Sequence, residues 1–281
     1  GISGIEKSLD KELKTTKDLI RLTVDADIQF LIREELLKFQ KIFRAKGSAA
    51  ILMDVNNGGI ISMVSLPDFN LNERKVITNV DYINRATKGV YEFGSVFKTF
   101  TVAAGFNENL INPDTKYLNL KKQIECNGFK IREYSDKTPT DLTVEEILIR
   151  SGNIGSVRIG QKIGQKKFKS FLKTIGVLGT IDFDIQEVGK PISINWGKCK
   201  LATASYGHGI TTTLLQIAKG YSIVTNGGYN IQPTIIQKKL VEKYSQKKIL
   251  NKGVSDKINT ILRKIVTNKE GTAELANVEG Y

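Results

Sequence analysis

Between Ser95 and Phe106 the chain reads Ser-Val-Phe-Lys-Thr-Phe-Thr-Val-Ala-Ala-Gly-Phe. The spacing predicts a helix, and Phe97, Phe100, Val102, Ala103 and Ala104 make it mostly apolar. A helix of that kind lies inside a fold, so the rest of the chain has to wrap around it. The chain has 281 residues, enough for one large domain or two smaller ones with a real core. No internal repeat, low-complexity tract or linker divides it. The expectation is one mixed domain over residues 1–281, with helices outnumbering strands.

Other elements can be placed around that helix. Ile28, Leu31, Ile32, Leu36, Leu37 and Phe39 recur at helical spacing within 25–43, with Thr23 or Asp25 available as N-cap. Apolar runs at 48–54 and 60–66 flank Asn56-Asn57-Gly58-Gly59, the clearest hairpin in the sequence, which Pro67 ends. Residues 67–93 read as a connecting loop, and 107–140 as loops with small strands. Thr143-Val144-Glu145-Glu146 fits a capping box opening a short helix that stops at Ser151-Gly152-Asn153. Helices are also expected at 165–175, 213–225 (closed by Asn226-Gly227-Gly228) and 255–267. A returning strand is expected near 231–240.

Composition excludes several classes of function. No run of about 18 apolar residues is present to span a membrane. The net charge of +13 raises the question of an anionic partner. Its lysines are scattered, however, and no Gly/aromatic stacking motif accompanies them, so a solvated basic surface is expected and nucleic acid is not. Cys126 and Cys199 lie far apart and outside any CxxC pattern, which points to neither a disulfide framework nor a zinc site. His208 is the single histidine. It sits between Gly207 and Gly209, where a structural or surface place is expected and no catalytic task is assigned. A protein-built metal site is not expected, and a nucleophile here needs a base other than histidine.

Ser95 and Lys98 can supply such a pair. Three residues apart at a helix start, they share a face. A serine hydroxyl is a weak nucleophile until something takes its proton, and a lysine amine can do so once desolvation lowers its pKa. Phe93, Phe97 and Phe100 offer the apolar setting, Gly94 permits close backbone approach, and a helix N-terminus brings N–H groups near the reacting oxygen. An N-capping serine followed by a surface lysine would read the same way. Downstream, Ser151-Gly152-Asn153 can project a hydroxyl to shuttle a proton and an amide to hold a substrate carbonyl. An ordinary helix-terminating turn is the alternative.

Taken in order, Tyr91-Glu92-Phe93-Gly94-Ser95-Val96-Phe97-Lys98 and Arg150-Ser151-Gly152-Asn153-Ile154-Gly155 resemble the class B penicillin-binding proteins. The opening Gly1-Ile2-Ser3-Gly4-Ile5-Glu6-Lys7 is similar to the start of that family's transpeptidase domain. Leu22-Thr23-Val24-Asp25, Ile28-Gln29, Ser205-Tyr206-Gly207-His208-Gly209-Ile210, Leu215-Gln216 and Asn226-Gly227-Gly228 carry the likeness across the chain. The resemblance implies an α+β, beta-lactamase/transpeptidase-like fold, an antiparallel sheet flanked by helices. It implies peptidoglycan D,D-transpeptidation: Ser95 as acylated nucleophile, Lys98 as proton acceptor, Ser151 as proton relay and Asn153 as holder of the substrate amide. Beta-lactams would trap the same serine, and no cofactor or metal is implied. The Tyr-Gly-His-Gly segment looks more like the division-type enzymes than the elongation-type ones. A serine beta-lactamase or beta-lactam sensor of the same fold, and a non-catalytic peptidoglycan-binding division scaffold, stay open as alternatives.

Two departures stand out. Phe93 replaces the family's usual proline, a change expected to alter loop stiffness more than chemistry. Lys269-Glu270-Gly271-Thr272-Ala273 is not read as the family's third motif. Gly271-Thr272-Ala273 and Gly280-Tyr281 resemble its lead-in, so the Lys-Thr-Gly motif and the C-terminal strands are expected beyond Tyr281. The hairpin at 48–66 would then lack sheet partners, and the chain by itself is expected to be unstable or inactive. The resemblance further implies a parent protein anchored in the inner membrane by an N-terminal span absent here, with its catalytic domain in the periplasm. Its partners would be peptidoglycan stem peptides, a glycan-polymerising protein and division proteins.

Overall fold

The computed structural model describes residues 3–70, 83–192 and 195–280. The likeness drawn on Gly1, Ile2 and Tyr281, and most of the loop expected at 67–93, lie outside the described residues. Two short helices, α1 (Gly4–Ser8) and α2 (Asp10–Thr15), precede α3 (Ala26–Ile42). The helix α3 starts where the sequence predicts because the Asp25 carboxylate accepts from the Asp27 and Ile28 amides, which have no partner inside the helix. The Asn/Gly turn joins β1 (Ser48–Met53) to β2 (Ile60–Leu66), antiparallel from Ser48 opposite Leu66 to Met53 opposite Ile60. Strand β2 alternates, burying Ile60, Ser62, Val64 and Leu66. Gln29 fastens α3 to it, donating to Met63 O and accepting from Met63 N, both at 2.8 Å.

Next come β3 (Val90–Tyr91), a 3-10 turn (Gly94–Phe97) and α4 (Lys98–Asn107), then β4 (Lys116–Tyr117), β5 (Gln123–Cys126), β6 (Phe129–Arg132) and β7 (Leu142–Thr143). The chain continues through α5 (Val144–Ile149), α6 (Asn153–Ile163), α7 (Gln165–Thr174), α8 (Lys200–Ala204), β8 (Thr212–Thr213), α9 (Leu214–Thr225) and α10 (Val254–Thr267). Among the described residues the strands pair two by two, β1–β2, β3–β8, β4–β7 and β5–β6, all antiparallel. Helix α4 is buried from Lys98 to Phe106, with α5, α6, α7, α9 and α10 packed around it. Each of its buried phenylalanines contributes about 2–3 kcal/mol through apolar area removed from water. A second core of Ile60, Ile181, Ile185, Leu215, Ile235 and Ile236 lies under the hairpin.

Several expectations are confirmed in detail. The Thr143 capping box is complete, with its hydroxyl accepting from Glu146 N and the Glu146 side chain accepting from Thr143 N. Asn226 closes α9 by accepting from the Gly228 and Tyr229 amides. Others need correction. Residues 231–240 form no strand: Thr234 and Ile236 make only isolated bridges to Gly59 and Leu22, and a 3-10 turn follows at Gln237–Lys239. Pro233 has no N–H to give a ladder, and consecutive Ile235 and Ile236 are both buried, so the alternation of a strand is lacking. Helix α6 begins at Asn153, directly after Ser151-Gly152, where only a terminating turn was expected. Cys126 and Cys199 are joined in a disulfide. Separated by 73 residues, they carry no spacing signal, yet the fold brings their Cα atoms to 5.7 Å. The bridge fastens the β5–β6 hairpin to the start of α8.

Candidate active site

Ser95 lies in the 3-10 turn, where residues three apart eclipse one another. The Lys98 amide donates to Ser95 O, stacking the two residues as their spacing predicts. Their surroundings differ: Ser95 is exposed, whereas Lys98 is only 1% exposed. The turn is held from two sides. Tyr221 of α9 donates its phenolic O–H to Val96 O (2.9 Å) and bonds the Thr99 hydroxyl (3.0 Å), while its ring meets Phe100 at 5.1 Å. From the other side comes the loop after α8. Gly207 lies so close that a Cβ there would stand 1.8 Å from Gly94 O, and its φ of +86° also requires glycine. Thr101 Oγ1 donates to Ser205 O at 2.8 Å and holds that loop to α4.

The Lys98 ammonium donates to Ser151 Oγ at 2.8 Å and also to Ser151 O. Burial among Phe97, Phe100 and their neighbours lowers its pKa to about 8, partly opposed by the Glu133 carboxylate. About a tenth of the amine is then neutral at pH 7, against roughly one part in three thousand at the ordinary value. Ser151 sits at φ +56°, a left-handed conformation unusual for a residue with a side chain. The bend turns both its oxygens onto Lys98 and starts α6 in a new direction.

Asn153 is the first residue of α6, and no side chain at Gly152 caps that helix. Glu133, just past β6, accepts from the Asn153 and Ile154 amides at 2.7 and 2.8 Å. The Asn153 side-chain NH2 donates to Arg132 O at 2.8 Å, leaving a second N–H for a ligand. His208 is 67% exposed and stands 3.4 Å from Glu92, which also accepts from Gly209 N. Glu270 pairs with Arg150 at 2.7 Å, and the Thr272 amide donates to Ile149 O, so residues 269–273 dock at the end of α5.

The fold therefore bonds Lys98 to Ser151, two residues before Asn153, and stacks exposed Ser95 one 3-10 turn ahead of Lys98. Ser95 makes no side-chain hydrogen bond among the described residues, and the residue is exposed. The sequence reading missed Glu133, Tyr221 and the Cys126–Cys199 bridge, because each reaches the site from a distant segment with no local pattern. A desolvated amine, two hydroxyls and an amide suit nucleophilic acyl transfer. No cluster of three His, Cys, Asp or Glu side chains suited to a metal occurs among the described residues.

Comparison with known proteins agrees with this architecture. The family model described as the penicillin binding protein transpeptidase domain matches residues 48–281, and the chain belongs to that family. It is 26% identical to a protein described as a probable peptidoglycan D,D-transpeptidase FtsI of Caulobacter vibrioides, over 100% of this chain and 48% of that protein. It is 30% identical to Stage V sporulation protein D of Bacillus subtilis, over 93% of this chain and 42% of that one. The chain thus spans about half the length of the curated relatives it matches. Among solved structures, the transpeptidase domain of Burkholderia pseudomallei penicillin-binding protein 3 superposes with a TM-score of 0.80 at 24% identity, over 93% of this chain and 74% of that one. The likeness confirms the α+β transpeptidase fold.

Proposed function

We propose that this domain is the catalytic part of a peptidoglycan D,D-transpeptidase that cross-links stem peptides during septal wall synthesis. The observation that carries the reading is a buried, partly neutral Lys98 bonded to Ser151, with exposed Ser95 one 3-10 turn ahead of it. Ser95 Oγ attacks the carbonyl carbon of the penultimate D-alanine, and the neutral Lys98 amine takes its proton. Ser151 passes a proton to the departing nitrogen as the C–N bond breaks and D-alanine leaves. An amine from a second strand then attacks the ester, forms the cross-link and returns the hydrogen to Ser95. Asn153 holds the substrate amide through its remaining N–H. A beta-lactam acylates the same serine, but its opened ring keeps the leaving group tethered.

The working place that fits is outside the cytoplasm, in the periplasm against the inner membrane. A disulfide such as Cys126–Cys199 persists where the surroundings are oxidising. Lipid-linked peptidoglycan, a glycan-polymerising protein and division proteins are the partners this reading implies. Intact-mass measurement after incubation with benzylpenicillin, alongside Ser95→Ala, tests it. A long-lived adduct lost in Ser95→Ala is expected. An adduct that survives the substitution overturns the assignment of Ser95, and rapid release of hydrolysed drug points to a beta-lactamase instead.

A further inference from the structure

Helix α6 is 11 residues long and begins with the residue assigned to the substrate, yet its own sequence gives it no side-chain cap. The cap comes from Glu133, which lies 20 residues earlier on the β5–β6 hairpin. One carboxylate oxygen accepts from Asn153 N and the other from Ile154 N, a two-handed grip on consecutive amides. The adjacent Arg132 carbonyl holds the Asn153 side chain, and the Glu133 amide donates to Lys122 O at 3.0 Å. The far end of this hairpin is fixed covalently through Cys126 to Cys199. From this geometry we infer that Glu133 is a positioning residue for acylation, one carboxylate that fixes the Ser151–Asn153 loop and keeps a negative charge within electrostatic reach of Lys98.

Several other charged groups around α4 are engaged elsewhere. On α5, Glu145 pairs with Lys264 of α10, and Glu146 closes the Thr143 cap. On α7, Lys167 pairs with Glu108, and in the loop beside Gly207, Glu92 faces His208. Tyr221 of α9 is bonded to Val96 and Thr99. The Glu133 charge favours the protonated form of the Lys98 ammonium, against the larger effect of burial. Its carboxylate therefore adjusts, against the larger effect of burial, the pH at which Lys98 becomes a base, as well as fixing the place of Asn153.

The inference rests on the proposed acyl-transfer function, and the test separates the two. Acylation rates with a chromogenic beta-lactam are measured from pH 6 to 10 on the full-length protein carrying this domain and on its Glu133→Gln, Glu133→Asp and Ser95→Ala variants. Removing the charge lets the Lys98 proton leave more easily, so the rising limb for Glu133→Gln moves to lower pH, by about half a unit or more. Its plateau falls about three- to thirtyfold, because one amide of α6 faces an NH2 group in place of an acceptor. Glu133→Asp keeps the charge, so the limb stays in place while the shorter side chain lowers the plateau. If Glu133→Gln melts below the assay temperature, this second variant keeps the inference falsifiable through its plateau. A lower plateau for Glu133→Gln with an unmoved limb reduces Glu133 to a structural cap and overturns the inference. Glu133→Asp at full rate overturns it as well. Either result leaves the proposed function intact if Ser95→Ala is silent. No acylation of the unaltered full-length protein carrying this domain removes the function and the inference together.

Discussion

Lys98 Nζ donates to Ser151 Oγ at 2.8 Å across 53 residues of sequence. The contact joins the central buried helix to a left-handed bend between two others, and it places an amine with a lowered pKa beside a hydroxyl.

The lowered pKa makes the first prediction one of stability as well as rate. A buried lysine titrating near 8, against 10.5 when unfolded, binds fewer protons folded than unfolded between those values. Stability therefore rises with pH across about 8 to 10.5, by about 3 kcal/mol from this group, and the penalty is fully present below pH 8. Lys98→Met is expected to abolish acylation and to flatten that alkaline rise, as read from chemical denaturation at pH 7.5 and 10. An unchanged alkaline rise in the variant would show that another group causes it.

Tyr221→Phe tests how the nucleophile turn is held. The substitution keeps the ring against Phe100 and removes the bonds to Val96 O and the Thr99 hydroxyl. A loss of about 1 kcal/mol in unfolding free energy is expected. Acylation should slow several-fold with its pH profile unmoved, because Lys98 and Glu133 are untouched. A shifted profile would contradict this.

Gly207→Ala should cost more than any ordinary glycine substitution in a loop. The new methyl would meet Gly94 O at 1.8 Å and force an alanine to φ +86°. A destabilisation of about 2 kcal/mol or more is expected, with acylation down at least about tenfold as the turn moves away. Full activity in this variant would mean the loop can retreat without disturbing Ser95.

Reduction of the Cys126–Cys199 bridge is the fourth test. The bridge closes a span of 73 residues, for which chain entropy gives about 4 kcal/mol. Cys126→Ser with Cys199→Ser should lower the melting temperature clearly and make it insensitive to dithiothreitol. Identical melting of oxidised and reduced protein would show that the bridge does not hold the hairpin.

Much of this was legible from residues alone, wherever the determining interactions are local. The apolar run from Phe97 to Ala104 already required a buried helix. Asp25, the Thr143–Glu146 box and Asn226-Gly227-Gly228 marked helix ends because a cap bonds amides within a few residues of itself. Asn56 to Gly59 located the hairpin for the same reason. Ser95 and Lys98 were readable as a pair because three residues of spacing suffice to stack them. The family likeness linked them to Ser151 and Asn153.

The tertiary structure decided what depends on contacts between distant segments. Only the fold could show that Lys98 is buried while its neighbour Ser95 is exposed, or that the lysine bonds to Ser151. Helix α6 was not foreseen because its cap, Glu133, comes from another hairpin. The strand expected at 231–240 gave way to isolated bridges once both Ile235 and Ile236 went into the core. Cys126 and Cys199 read as unrelated because spacing carries no signal over 73 residues, and the fold alone sets their Cα atoms 5.7 Å apart. Sequence specifies the interactions a residue makes with its near neighbours. The burial that lowers the Lys98 pKa, and the partners arriving from elsewhere in the chain, exist only after the chain has closed around α4.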